Sequence, residues 1–106
     1  MALKHATDAD FAEMINDGLT LVDFWATWCG PCRMFGPIFE SVSNKITDVN
    51  FVKFEIDDTN RRTPTKYGIR SIPSILAFKN GDLVEARTGL MDEETVTAWI
   101  NELKAS

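Results

Sequence analysis

Two cysteines, Cys29 and Cys32, stand two residues apart and are the only cysteines in the 106-residue chain. They follow an apolar run at residues 19–26 and precede a stretch with the apolar spacing of a helix. A Cys-x-x-Cys pair between a strand and a helix is typical of redox chemistry. In that chemistry one thiolate attacks a disulfide and the second thiol resolves the mixed product.

Two other uses of the pair remain open at this point. A structural disulfide across so few residues would remove little entropy from the unfolded chain, and a reducing compartment would not maintain it. A structural zinc site needs four ligands, and the only other soft ligand in the sequence is His5, near a terminus. The residues therefore favour a redox-active pair of cysteines over a structural disulfide or a metal site.

The residues between and after the cysteines fit an exposed attacking thiol. Pro31 suits the first turn of a helix, where its missing N–H costs no hydrogen bond. Cys29 is then expected at or just before the helix N-terminus, where free N–H groups and the helix dipole stabilise a thiolate. Cys32 is expected one turn further in and less exposed. Gly30 has no side chain, so the turn leaves room for a bulky protein substrate to approach.

Composition and charge narrow the classes of partner. The net charge is −5, with 25% charged and 44% hydrophobic residues, and no basic cluster exceeds the pair Arg61-Arg62. Nucleic acids and anionic membranes require a basic surface, so neither is an expected partner. The length predicts one domain over residues 1–106, and the acidic surface favours a monomer.

The sequence contains no apolar stretch of the length of a signal peptide or a membrane span. We therefore expect a cytoplasmic protein, in a compartment that keeps thiols reduced. A secreted protein from which a leader had been removed would give the same pattern.

Apolar periodicity predicts a helix, a strand, a helix, a strand, a short helix, two strands and a helix, in that order. The first helix is expected within residues 7–17, with Thr7 as its cap. The helix after the cysteines is expected to bury a broad apolar face made of Met34, Phe35, Ile38, Phe39, Val42 and Ile46. Asn80-Gly81 is a strong signal for a tight hairpin, and Asp92 is expected to cap the last helix. This order predicts an α/β fold with a mixed sheet and helices on its faces.

Several blocks of the sequence resemble the thioredoxin family over almost the whole chain. They are "VDFWATWCGPCRM", "VKFEID", "KYGIRSIPSILAFKNG" and the pair Thr88-Gly89. The resemblance implies the thioredoxin fold, a central mixed β-sheet flanked by helices on both faces. It also implies a protein disulfide reductase with no bound cofactor, whose redox-active Cys29–Cys32 disulfide is recharged by thioredoxin reductase with electrons from NADPH. Its other partners would be disulfide-containing protein substrates.

The resemblance also implies roles for individual residues. Cys29 matches the attacking cysteine, Cys32 the resolving one, Asp23 a buried carboxylate behind the pair and Lys53 its cationic neighbour. The residue types alone also allow a solvated aspartate at a strand end and an exposed strand lysine.

Seven positions match the family's substrate surface: Trp28, Gly30, Pro31, Ile72, Pro73, Thr88 and Gly89. Pro73 matches a cis-proline that faces the disulfide, whereas plain core packing is the alternative for Ile72. Trp25 and Trp99 are expected to pack in the body of the fold. The sequence departs from the family's commoner pattern at Phe35-Gly36 and at Ser74.

Two rival functions are compatible with these residues. One is an oxidant or isomerase of an exported compartment, which the Gly30-Pro31 dipeptide and the lack of a visible leader disfavour. The other is a binding subunit that contacts other proteins in a larger complex through its surface and does not use its thiols.

Overall fold

The structure is a computed structural model that describes residues 3–106. In chain order its elements are β1 (Leu3–Ala6), α1 (Phe11–Met14), β2 (Leu19–Trp25), α2 (Gly30–Lys45), β3 (Asn50–Glu55), α3 (Arg62–Lys66), β4 (Ser74–Lys79), β5 (Asp82–Thr88) and α4 (Glu93–Ala105).

The strands form one mixed sheet in the order β1-β3-β2-β4-β5. β3 runs parallel to both β1 and β2, whereas β4 is antiparallel to both β2 and β5. β2 is nearly continuously apolar because it lies in the middle of the sheet and is covered on both faces. The predicted mixed sheet is confirmed.

Helices cover both faces of the sheet, as the sequence resemblance predicts. One buried cluster joins the sheet to α2 and α4 through large side chains, among them Phe35, Phe39 and Trp99. The cluster on the other face includes Phe11 of α1, with Tyr67 just after α3 packed against it. The end of β2 and the start of α2 therefore meet between two well-packed layers.

The structure corrects three details of the predicted elements. β1 is absent from the predicted order, because four residues with exposed Lys4 and His5 carry no apolar pattern. Helix α1 begins at Phe11, and its N-cap residue is Asp10 rather than Thr7, whose N–H donates to Asp10 Oδ1 at 2.7 Å.

The buried face of α2 also differs from the prediction. Met34 is 63% exposed, whereas Cys32, Phe35, Phe39 and Val42 are buried. The predicted face is therefore confirmed at Phe35, Phe39 and Val42 and wrong at Met34, which lies at its exposed edge.

The turn and cap signals are confirmed. Asn80 and Gly81 join β4 to β5 with φ angles of 51° and 90°, the positive values that a tight hairpin needs. The Asp92 side chain accepts the N–H of Thr95 at 2.8 Å at the start of α4. Among the helices described, none is both long and apolar enough to cross a membrane.

Candidate active site

Cys29 is the N-cap residue of α2 and is joined to Cys32 by a disulfide. Its extended backbone, with φ −95° and ψ 113°, leads directly into the helix, and Pro31 occupies the first turn. Cys29 Sγ accepts the backbone N–H of Cys32 at 3.2 Å. The same N–H and the helix dipole would stabilise a thiolate at Cys29 after reduction.

The two cysteine residues differ slightly in their exposure to solvent. Cys29 is 6% exposed and Cys32 is 2% exposed, so Cys29 is the more accessible of two largely covered residues. Both pack with buried Ala26, and the partly buried Trp25 and Ile72 close the cluster. The expected exposure of Cys29 is therefore not seen, because Ala26, Trp25 and Ile72 cover the pair, and Cys29 is only slightly the more accessible residue.

A loop before β4 lies against the disulfide. The Ile72–Pro73 peptide bond is cis, and the carbonyl oxygen of Ile72 lies 3.8 Å from Cys29 Sγ. The carbonyl of Pro73 accepts the N–H of Gly89 at 2.8 Å, which ties the end of β5 to this loop. Ile72 is half-buried, with a side chain packed beside the cysteines rather than in the main core.

The other residues predicted for the substrate surface surround this contact. Trp28, directly before Cys29, is 75% exposed. Pro31 is exposed at the start of α2, and Gly30 is half-buried beside it. Thr88 is exposed and pairs with Ser74 across β4 and β5. The structure thus brings the seven positions around one end of the sheet, next to the disulfide.

Asp23 is completely buried in β2. Within residues 3–106, neither of its carboxylate oxygens has a hydrogen-bond partner. Burial raises the pKa of Asp23 to about 7, although the positive charge of Lys53 acts to lower it. The burial excludes a solvated strand-end aspartate. A carboxyl with this pKa can both hold and release a proton near neutral pH.

Lys53 is the register partner of Asp23 on β3 and is half-buried. Its Nζ lies 4.5 Å from the centroid of the Trp25 ring, a cation–π contact. Gly36 of α2 lies beside it, since a Cβ at that position would be 3.4 Å from Lys53 Nζ. Lys53 is therefore neither a freely exposed lysine nor fully enclosed.

Trp25 belongs to this site, although the sequence suggested a role only in packing. Its indole N–H is buried and has no hydrogen-bond partner in the described part of the chain. Trp25 lies two residues after Asp23 in β2, so the two side chains share a face of the sheet. The two-residue spacing between Asp23 and Trp25 was the one signal in the sequence that could have indicated that Trp25 belongs to the site.

His5 lies on β1, where it pairs with Lys53 across the strands. No group of three or more His, Cys, Asp or Glu side chains suited to a metal ion occurs between residues 3 and 106.

A mixed sheet flanked by helices, with a Cys-x-x-Cys disulfide at a helix N-terminus, defines a thiol–disulfide oxidoreductase. The sequence profile of the family described as Thioredoxin matches residues 2–102. The thioredoxin of Rickettsia prowazekii (strain Madrid E) is 42% identical over 103 residues, covering 94% of this chain and 97% of that protein. The thioredoxin of Bacillus subtilis (strain 168) is 39% identical over 103 residues, covering 96% and 98%.

A third relative, the thioredoxin of Listeria monocytogenes serovar 1/2a, is 41% identical over 101 residues, covering 94% of this chain and 97% of its own. The chain belongs to the thioredoxin family. The predicted fold and the predicted dithiol–disulfide reductase activity are confirmed.

Proposed function

We propose that this reductase acts generally on exposed disulfides of cytoplasmic proteins and is recharged by a thioredoxin reductase with electrons from NADPH. We further propose that residues 1–106 act as one domain and as a monomer. The observation that carries the proposal is the position of the Cys29–Cys32 disulfide at the N-terminus of α2, with Cys29 on the accessible side.

The reaction has two exchange steps. The Cys29 thiolate attacks one sulfur of the substrate disulfide, forms a mixed disulfide and expels the other substrate sulfur as a thiolate, which takes a proton from solvent. Cys32, as a thiolate, then attacks Cys29 Sγ. The Cys29–Cys32 bond forms, the mixed disulfide breaks, and the substrate leaves with two electrons more than it brought.

Asp23 is proposed as the group that accepts the Cys32 proton, directly or through a water molecule. Its burial and its pKa of about 7 support this role, because a fully ionised surface carboxylate would be a weak base. Lys53 is proposed as a positioning residue that limits how far burial raises that pKa.

The backbone of Ile72 is proposed to hold the substrate chain. Its carbonyl oxygen already lies 3.8 Å from Cys29 Sγ, and Pro73 offers no N–H of its own. An extended substrate segment could pair with Ile72 as an added strand would. Exposed Trp28 would then cover the substrate beside its cysteine.

NADPH-coupled reduction of insulin, with a bacterial thioredoxin reductase, tests this function. We expect NADPH oxidation that depends on both the chain and insulin, and none with a Cys29→Ser/Cys32→Ser double variant. A wild-type protein that leaves insulin oxidised under these conditions would contradict the proposal. It would then favour the binding-subunit alternative.

A further inference from the structure

A groove runs along β4 and β5 on the face of the sheet that carries α1 and α3. We name it the β5 groove. Its volume is about 220 Å³, and the residues that line it include Ile69, Ser74, Leu76, Leu83, Ala86 and Thr88.

The β5 groove is apolar and uncovered because the helices on this face stop short of the sheet edge. The buried cluster on this face reaches Leu76 and Phe78 of β4 but includes no residue of β5. On β5, Leu83 is 46% exposed, and Ala86 and Thr88 are exposed as well. A concave apolar surface of this kind is typical of a binding groove, whereas a single exposed apolar side chain is not.

The groove is continuous with the loop that touches the disulfide. Ser71 and Ser74, which line it, flank the Ile72–Pro73 bond, and the Ser74 hydroxyl donates to the Ser71 carbonyl at 2.5 Å. Thr88, at the other wall, precedes Gly89, which donates to the Pro73 carbonyl. The groove therefore begins next to the segment that is proposed to hold the substrate.

The size and charge of the groove limit what can occupy it. About 220 Å³ is below the ~300–1,000 Å³ of sites that enclose small molecules, so the groove suits a single side chain. Arg70 is the only charged residue among those that line it, and it would repel a basic side chain.

We propose that the β5 groove is a specificity site that receives one apolar side chain from the substrate segment flanking the reacting cysteine. The inference rests on the proposed function, since it assumes a protein substrate bound at Ile72. It adds a determinant of sequence preference to a site whose chemistry alone would accept any exposed disulfide.

The test uses symmetric peptide dimers joined by one disulfide, with NADPH and a thioredoxin reductase. In a Gly/Ser background, leucine, serine or lysine is placed in turn at each position within four residues of the cysteine. The compared proteins are the wild type, Leu83→Ser and Val84→Ser. Val84 is the matched control, because it is 43% exposed on the same strand and does not line the groove.

We expect leucine at one position to raise kcat/KM about tenfold over serine in the wild type and in Val84→Ser, as partial burial of a leucine allows. Lysine there should fall below serine. In Leu83→Ser the leucine preference should drop below about twofold, after each rate is divided by that protein's own rate with 5,5′-dithiobis(2-nitrobenzoic acid). Circular dichroism of both variants checks that they fold.

A wild type with no positional preference for leucine, or a preference unchanged in Leu83→Ser, would overturn the inference. Either result is distinct from failure of the proposed function, in which the wild type would not reduce the small aromatic disulfide at all.

Discussion

Asp23 and Lys53 are register partners on β2 and β3, yet within residues 3–106 the carboxylate receives no hydrogen bond from the ammonium group. Lys53 Nζ lies instead over the Trp25 ring, 4.5 Å from its centroid. The ammonium group therefore acts on Asp23 through its charge alone, and burial dominates the pKa of the carboxyl.

The first prediction concerns the stability of Asp23→Asn as a function of pH. The folded-state pKa of about 7 lies above the ordinary value of 3.8, so the folded protein keeps its proton longer than the unfolded chain. This group's contribution to stability is full below about pH 3.8 and is lost as the pH rises to about 7. The unfolding free energy of Asp23→Asn minus that of wild type should rise by on the order of 4 kcal/mol across this window.

Urea unfolding of the oxidised proteins between pH 4 and pH 8 measures this difference. A difference that stays constant over that range would show that Asp23 titrates normally in the folded state.

A second prediction separates the charge of Lys53 from the burial of Asp23. Lys53→Met removes the one charge that lowers the Asp23 pKa, so that pKa should rise further above about 7. Carboxyl ¹³C NMR titration reports it directly. Lys45→Met is the control, because Lys45 pairs with Glu93 on the surface and should leave Asp23 unchanged. Equal Asp23 pKa values in both variants would show that Lys53 has no electrostatic effect.

Some features of this site followed from the sequence because local chemistry determines them. Pro31 placed the helix start beside Cys29, and the apolar run around Asp23 required an explanation for its charge. Asn80-Gly81 specified the hairpin through its positive φ angles. Such signals depend only on residues that are adjacent in the sequence, so one sequence is sufficient to interpret them.

Other features depend on contacts between distant residues and gave no local signal. β1 exists through its pairing with β3, in which Leu3 meets Phe51. The contact of Lys53 with Trp25 requires that β2 and β3 lie side by side. The Ile72–Pro73 cis bond was expected from family resemblance alone, since the residue types permit either isomer.

Gly36 offers a test of helix energetics beside the site. Alanine is a better helix former than glycine, and the added Cβ would meet Lys53 Nζ at 3.4 Å, an ordinary contact distance. Gly36→Ala should therefore stabilise the protein by about 0.5–1 kcal/mol in urea unfolding. Asn44→Ala, at an exposed position of α2, provides the comparison, because it also improves helix propensity but lies away from Lys53. A net destabilisation by Gly36→Ala would show that the added Cβ does not fit between Lys53 and the adjacent Pro37.

Trp28 should matter for substrates and little for folding. With 75% of its surface exposed, Trp28→Ala should change the unfolding free energy by less than about 0.5 kcal/mol. It should lower kcat/KM for insulin several-fold, because the exposed ring supplies apolar contact area to the partner. Trp28→Phe, which keeps a ring, should recover much of the loss. Unchanged insulin kinetics in Trp28→Ala would remove Trp28 from the substrate surface.

The central claim, that Cys29 attacks and Cys32 resolves, is tested most directly by mass spectrometry of two single variants mixed with a protein that carries one exposed disulfide. Cys29 is the N-cap residue of α2 and the more exposed of the pair, so Cys32→Ser should accumulate a covalent complex through Cys29, which dithiothreitol releases. Cys29→Ser should form none. A complex trapped by Cys29→Ser, with none from Cys32→Ser, would reverse the assignment and contradict the account.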